Sequence, residues 1–170
     1  GNKESMRRFI WLGLAVLVVG TVAGMGVYRV YAKTATDKFS LAVAKALNLP
    51  AVKVGSEKIS YTAYVEDLQA IHTMRNHDKA QREAGATPDR SPGAELTEEQ
   101  MTDQVLWRLV NNLLVDSAAK KFAVTAEDAD VQTLKAQMLQ QFKDEAAANE
   151  ELTKRYGWNM SVYEKKVMRP

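Results

Sequence analysis

A run of twenty uncharged residues, from Phe9 to Tyr28, constrains this chain more than any other feature of its sequence. As an α-helix the run would be roughly 30 Å long, which matches the hydrocarbon core of a bilayer. Two arginines precede it, and aromatic residues stand near both ends, as is typical of membrane interfaces. We therefore predict a membrane-spanning helix over residues 9–28 behind a short tail, residues 1–8. A cleaved signal peptide is the alternative, but the run is longer than a usual signal core, and V-Y-A at residues 30–32 is a poor small-residue cleavage site.

The predicted anchor also contains a G-x-x-x-G pattern. Small residues at this spacing let two membrane helices approach closely, so the pattern predicts a face through which two copies could form a homodimer. Glycine is also common in membrane helices without any such role. The residues on which the anchor prediction depends are Phe9, Trp11, Leu17, Gly20, Gly24 and Tyr28.

Residues 29–49 are predicted to form a helical stalk or linker. Within them, Phe39, Val43, Ala46 and Leu47 fall on one stripe of a short amphipathic helix, and the proline at position 50 cannot continue it. A stalk that lifts the following domain off the bilayer is our preferred interpretation. A helix that lies on the membrane surface is the alternative.

The folded part begins with a small hairpin. Val52 and Val54 alternate with a lysine, Gly55 and Ser56 supply a tight turn, and Ile59 resumes the alternation. A helical period then runs from position 61 to about position 83. Residues 84–96 contain two prolines and two glycines without any period, which predicts a loop.

Local patterns predict further helices in the C-terminal half. Thr97 and Gln100 fit a capping box, and the apolar helix that follows it, which includes Trp107, Leu114 and Phe122, is expected to be the most buried. Thr125 is expected to cap the next helix, Gly157 to end a later one, and Asn159 to cap a last helix over 160–168. The predicted fold class is mainly α: one transmembrane helix, then a small β-hairpin packed with about four helices.

Composition excludes several classes of function. The chain has no cysteine, so it has no disulfide and no thiolate metal site. Residues 1–50 hold seven Lys and Arg against two Asp and Glu, whereas residues 51–170 hold sixteen against nineteen. The basic charge thus belongs to the N-terminal segment, and we predict no nucleic-acid partner. The two histidines, His72 and His77, do not share a helical face well, and we predict no metal site, cofactor or catalytic residue.

Three segments in order resemble a known family: "PAVKVGSEKISYTAYVEDL", "LTEEQMTDQVLWRLVNNLLVDSAAKKFAVTAEDADV" and "RYGWNMSVYEKKV". They are similar to the N-terminal chaperone region of SurA-like and PrsA-like foldases. Members of that family typically read V-N-G where this chain has Val54-Gly55-Ser56. They read Y-G-L-T where this chain has Tyr156-Gly157-Trp158-Asn159. The resemblance covers about residues 50–169, and we place the chaperone domain at 50–170.

The resemblance implies a membrane-anchored chaperone or foldase module that binds unfolded or exported polypeptides. It also implies bacterial origin and a single pass through the cell membrane, with the folded domain on the extracytoplasmic, periplasmic side. Many members carry a parvulin-type peptidyl-prolyl isomerase domain, which would lie beyond residue 170; we predict no enzyme within the chain. Adaptable methionine and aromatic side chains suit client binding, and the candidates are Met74, Met138, Phe142, Trp158 and Met160. Ordinary core packing is the alternative for each, and an anchored assembly protein with one dedicated partner is the alternative function.

Overall fold

The computed structural model describes residues 2–85 and 96–169 and, for residues 2–10, the backbone alone. Its elements are α1 (Asn2–Lys33), α2 (Lys38–Ala46), β1 (Pro50–Val54), β2 (Glu57–Ser60), α3 (Tyr61–Glu83), α4 (Glu98–Phe122), α5 (Asp128–Leu139), α6 (Glu145–Tyr156), α7 (Met160–Tyr163) and a π-helical turn, Glu164–Met168. The predicted fold class, mainly α with one hairpin, is confirmed. Most of the predicted loop over residues 84–96 lies outside the described residues.

The chain divides into two compact units. Unit 1 comprises the residues up to 51 together with residues 60–62, and unit 2 comprises residues 52–59 together with the residues from 63 onward. Unit 1 therefore holds α1 and α2, and unit 2 holds the tip of the hairpin and most of the later helices.

Several element boundaries follow from local chemistry, as predicted. Gly55 adopts a φ of 61° in the hairpin turn, a conformation that glycine reaches without a steric cost. Thr97 and Gln100 form the predicted capping box at the start of α4. Gly157 ends α6 with a φ of 70°, and the Asn159 side chain accepts a hydrogen bond from the Val162 amide at the start of α7.

Two predictions about helix boundaries need correction. Thr125 does not cap the third helix of the folded part; α5 begins later, and its N-cap is the extended residue Glu127. The amides of Asp130 and Val131 both donate to the Glu127 carbonyl, so the first helical turn forms there. The last helix, predicted as 160–168, is a single α-turn followed by the π-helical turn.

In unit 1, α2 packs against the C-terminal end of α1. A Cβ atom added at Gly26 would lie 2.6 Å from both γ-carbons of Val43, so only glycine allows the helices to come this close. Ser40 and Ala44 of α2 are buried. The predicted short helix thus forms, and of its apolar stripe Val43 meets α1 whereas Phe39 and Leu47 are 41% and 48% exposed, because the small residues take the side that faces a close neighbour.

Hydrogen bonds from two tyrosines connect segments of unit 1 that are distant in sequence. The Tyr31 hydroxyl donates to the carbonyl of Pro50 at 2.9 Å, and the Tyr61 hydroxyl donates to the carbonyl of Ala35 at 3.2 Å. The Tyr61 amide also donates to the Leu49 carbonyl at 2.8 Å. These bonds tie the segment that follows α2 to the C-terminal end of α1.

Asp37 caps α2, and its charge should be measurable as a pH effect. Hydrogen bonds from the Ser40 hydroxyl and amide, together with the Arg29 guanidinium, lower the pKa of Asp37 from 3.8 to about 2. Because the pKa is lower in the folded state, the carboxylate contributes stability above pH 3.8 that is lost as the pH falls through about 2. We expect an NMR titration of the Asp37 carboxyl carbon in detergent micelles to give this low midpoint, and Ser40→Ala to raise it. A wild-type midpoint near the ordinary carboxyl value would contradict the cap.

The core of unit 2 joins α3, α4 and the shorter helices. Val65, Met101, Val105 and Val131 are almost completely buried. A second cluster forms around Ala148, Leu152 and Met160. Polar contacts reinforce it, since the Asn149 side chain accepts a hydrogen bond from the Met160 amide at 2.8 Å.

Candidate functional site

The apolar residues of α4 divide into a buried set and an exposed set. Met101 and Val105, in the first half of the helix, are buried. Further along, Trp107, Leu114 and Phe122 are 68%, 50% and 72% exposed. The prediction that this helix is the most buried is therefore wrong for the side of the helix that carries Trp107, Leu114 and Phe122. Apolar periodicity identifies a face that avoids water, but it does not show whether a neighbouring element covers that face.

Three exposed residues and one partly buried residue of α4 lie along one side of the helix, which we call the α4 stripe: Trp107, Leu114 and Phe122, together with Val110. Their spacings of three, four and eight residues keep them on one side of the helix. Val115, which is 60% exposed, widens the line on its flank. The stripe is an exposed apolar surface of the kind that marks interaction sites in soluble domains.

An open depression of about 530 Å³ lies at one end of the stripe. Its lining consists of Val52 of β1 and, from α4, Asp103, Leu106, Trp107 and Val110. All but one of these side chains are apolar, and the exception is a single carboxylate. Such a lining can bury aliphatic or aromatic side chains but offers little directional hydrogen bonding.

Three of the five candidate client-binding residues lie together in the core of unit 2. Met160 is buried, and Met138 and Phe142 pack against the cluster that contains it. Met74 lies half-buried on α3. The structure thus places these four in packed surroundings and not on one exposed surface, and their role in client binding stays a prediction.

Trp158, the fifth candidate, lies at a separate place. Its ring stacks on Tyr156, with the ring centroids 5.7 Å apart, and the Lys166 ammonium lies 5.6 Å from its centroid. Trp158 also lines a depression of about 310 Å³ together with residues of α3, among them Gln69 and Thr73. This site is more polar than the α4 depression, because amide, hydroxyl and carboxylate groups share its wall.

A buried charge cluster joins three elements of unit 2. Asp67 on α3 is only 2% exposed and accepts hydrogen bonds from Arg108 of α4 and from Lys166 of the π-helical turn, the latter at 2.9 Å. Lys166 also lies 3.2 Å from the Glu66 carboxylate. Each cation has an acidic partner, so the arrangement is a structural ion-pair network. Sequence reasoning missed it because the partners lie 41 and 99 residues from Asp67.

The histidines take part in local contacts. His72 Nε2 lies 3.2 Å from a Glu98 carboxylate oxygen, a contact between α3 and α4. His77 is mostly buried, and its Nδ1 lies 3.8 Å from the carboxylate of the adjacent Asp78. Among the side chains that the structure describes, those of residues 11–85 and 96–169, no three histidine or acidic residues are grouped so that they could hold a metal ion.

The predicted anchor residues lie on α1. Trp11, Leu17 and Tyr28 are each more than half exposed, and a Cβ atom at Gly20 or Gly24 would meet no other atom within 4 Å. The side chain of Phe9 lies outside the described residues. From Trp11 to Lys33, α1 is long and apolar enough to cross a membrane, by length and composition.

A small hairpin followed by helices, one of which exposes an apolar stripe in the described part of the chain, defines a mainly helical domain. The chain belongs to the family of SurA-like N-terminal domains, which it matches over residues 2–168, so the resemblance seen in the sequence is confirmed. The matched region includes α1. Membership indicates a chaperone-type module. No curated protein and no solved structure matches the chain.

Proposed function

We propose that this protein is a membrane-anchored chaperone module that binds apolar segments of unfolded polypeptides on the extracytoplasmic side of the membrane. The observation that carries the proposal is the α4 stripe, with its adjoining depression, on a domain of the SurA-like family. α1 is the anchor, and the short N-terminal tail lies in the cytoplasm.

The chemistry of the stripe suits clients of varied sequence. Hydrophobic burial is not directional, and its free energy depends on the apolar area removed from water and hardly on the order of side chains. Trp107 offers a large flat surface at the depression, and aromatic residues of this kind often dominate binding energy. Since Asp103 is the one charged residue of the depression, few polar groups restrict what binds there.

The anchor part of the proposal rests on α1. Its side chains from Trp11 onward are largely exposed, and a helix with such a surface is stable where lipid covers it. An anchored module of this kind would act on polypeptides as they emerge from, or pass along, the membrane.

Peptide binding by the full chain in lipid nanodiscs tests the proposal. Anisotropy titrations with labelled apolar peptides of unrelated sequence are expected to show binding that grows with their aromatic and aliphatic content. We expect Trp107→Ala to weaken this binding by about 2 kcal/mol, or roughly thirtyfold in Kd, as for a central aromatic residue of an interface. Leu114→Ser should act in the same direction.

Leu134→Ser provides the matched control, because Leu134 on α5 is 48% exposed and Leu114 is 50% exposed. It should leave the Kd unchanged. Equal losses for the two leucine variants would place the binding site elsewhere. Binding of one partner only, with no affinity for unrelated apolar peptides, would favour an assembly protein with a dedicated partner over a chaperone.

A further inference from the structure

The contacts between α1 and α2 show in which direction α2 runs relative to α1. The chain turns after Lys33, and Asp37, just before α2, reaches back to Arg29 of α1 at 2.9 Å. Further along α2, Val43 packs against Gly26. The residues of α2 thus meet successively earlier residues of α1. α2 runs back along α1 and does not continue away from its end.

Helix geometry gives the depth at which this contact lies. If the hydrocarbon core begins just after Arg8, about 20 residues bring α1 to its far boundary near Tyr28. Gly26 then lies within the last turn before that boundary, and Val43 of α2 lies at the same level. Any bilayer that α1 crosses in this way therefore reaches α2.

The side of α2 that does not face α1 has two chemically different flanks. Phe39 and Ala46 are seven residues apart and share one flank, on which both are exposed. Lys38 and Lys45 are also exposed. Each directly precedes a residue of the first flank in sequence, so the two lysines share a second flank that is rotated by about 100° around the helix axis. Among the described residues, no carboxylate lies within ion-pair distance of either lysine. An apolar flank beside a basic flank is typical of helices at the boundary between acyl chains and anionic headgroups.

We propose that α2 is an interfacial helix at the edge of the phospholipid bilayer crossed by α1, with its N-terminal end at the headgroups and its C-terminal end among the outermost segments of the acyl chains. The Phe39 and Ala46 flank contacts the acyl chains, Lys38 lies at the phosphates of anionic headgroups, and the side chain of Lys45 extends outward to reach them. The proposal rests on the membrane anchor of the proposed function, and it replaces the stalk interpretation of residues 29–49 by the surface helix.

Lipid quenching of a single fluorophore tests this arrangement. The chain has no cysteine, so one introduced cysteine carries the only label. Full-length Ala46→Cys, labelled with a nitrobenzoxadiazole dye, is reconstituted into vesicles of phosphatidylcholine and phosphatidylglycerol that contain lipids with a nitroxide on the acyl chain. Nitroxide lipids quench the dye only where lipid touches it, so a protein that covered α2 would leave the dye unquenched. Leu17→Cys, in the middle of α1, is the embedded reference.

We expect strong quenching at Leu17, and at Ala46 substantial quenching that is strongest with nitroxides near the headgroup. Adding Lys38→Gln and Lys45→Gln to Ala46→Cys should reduce the quenching in anionic vesicles but not in pure phosphatidylcholine. Quenching at Leu17 without quenching at Ala46 would overturn the interfacial helix and leave the anchor intact. An unquenched dye at Leu17 would overturn the anchor, and with it the interfacial helix.

Discussion

Replacing Asp67 by asparagine should destabilise unit 2 by about 3 kcal/mol, the low end of the range for removing one partner of a buried ion pair. The carboxylate is 2% exposed and bonds to both Arg108 and Lys166. The neutral amide leaves these two cations without their shared partner. The low end applies because the Arg108 side chain is 38% exposed and water can partly replace the lost contact. Guanidinium unfolding followed by far-UV circular dichroism and by tryptophan fluorescence, to which Trp158 beside Lys166 contributes, measures the loss.

Asp103→Asn is the control for this prediction. It makes the same chemical change on α4, where Asp103 is exposed, and surface changes of this kind usually alter stability by less than about 0.5 kcal/mol. If Asp67→Asn behaved like this control, the charge cluster would contribute nothing to the stability of the fold. A double-mutant cycle with Arg108→Gln isolates the interaction between Asp67 and Arg108. The double variant should lose less stability than the sum of the losses of the two single variants.

Features with a local cause could be predicted from the sequence. The hairpin turn requires a positive φ at Gly55, and the start of α4 depends on two side chains only three residues apart, Thr97 and Gln100. Local rules describe both, because every atom involved lies within one turn of the chain. The start of α5 shows the limit of such rules: Thr125 has a good capping side chain, yet the helix begins beyond it at Glu127.

Features that depend on distant parts of the chain could not be predicted. Periodicity identified the apolar residues of α2 and α4, but it does not say which of them a neighbour covers. Ser40 is buried because it lies where two helices approach closely, and Phe39, though larger and more apolar, is exposed. The α4 stripe was visible as a pattern and misread as core for the same reason. Asp67 gave no sign of its burial, because its partners are brought near only by the fold.

Gly26→Ala should loosen α2 from α1, and this change has the largest effect expected in unit 1. The added methyl group would lie 2.6 Å from both γ-carbons of Val43, a short and stiff side chain that cannot turn away easily. Overpacking of this kind costs about 1–3 kcal/mol, which is roughly a 5- to 150-fold increase in local opening. Hydrogen exchange of the α2 amides in nanodiscs measures it directly, because exchange from a folded segment reports its opening free energy.

Two further variants test whether the contact between position 26 and Val43 causes the loosening of α2. Gly24→Ala adds the same methyl group two residues earlier, where nothing lies within 4 Å, so α2 should exchange at the wild-type rate. Val43→Ala removes both γ-carbons that the new methyl group would meet, so combining it with Gly26→Ala should restore much of the lost protection. If Gly26→Ala and Gly24→Ala raised the exchange of α2 equally, or if Val43→Ala gave no rescue, the substitutions would act by changing α1 itself and not through the contact with Val43. The expected pattern would instead show that Gly26 is the position at which the membrane helix accepts α2.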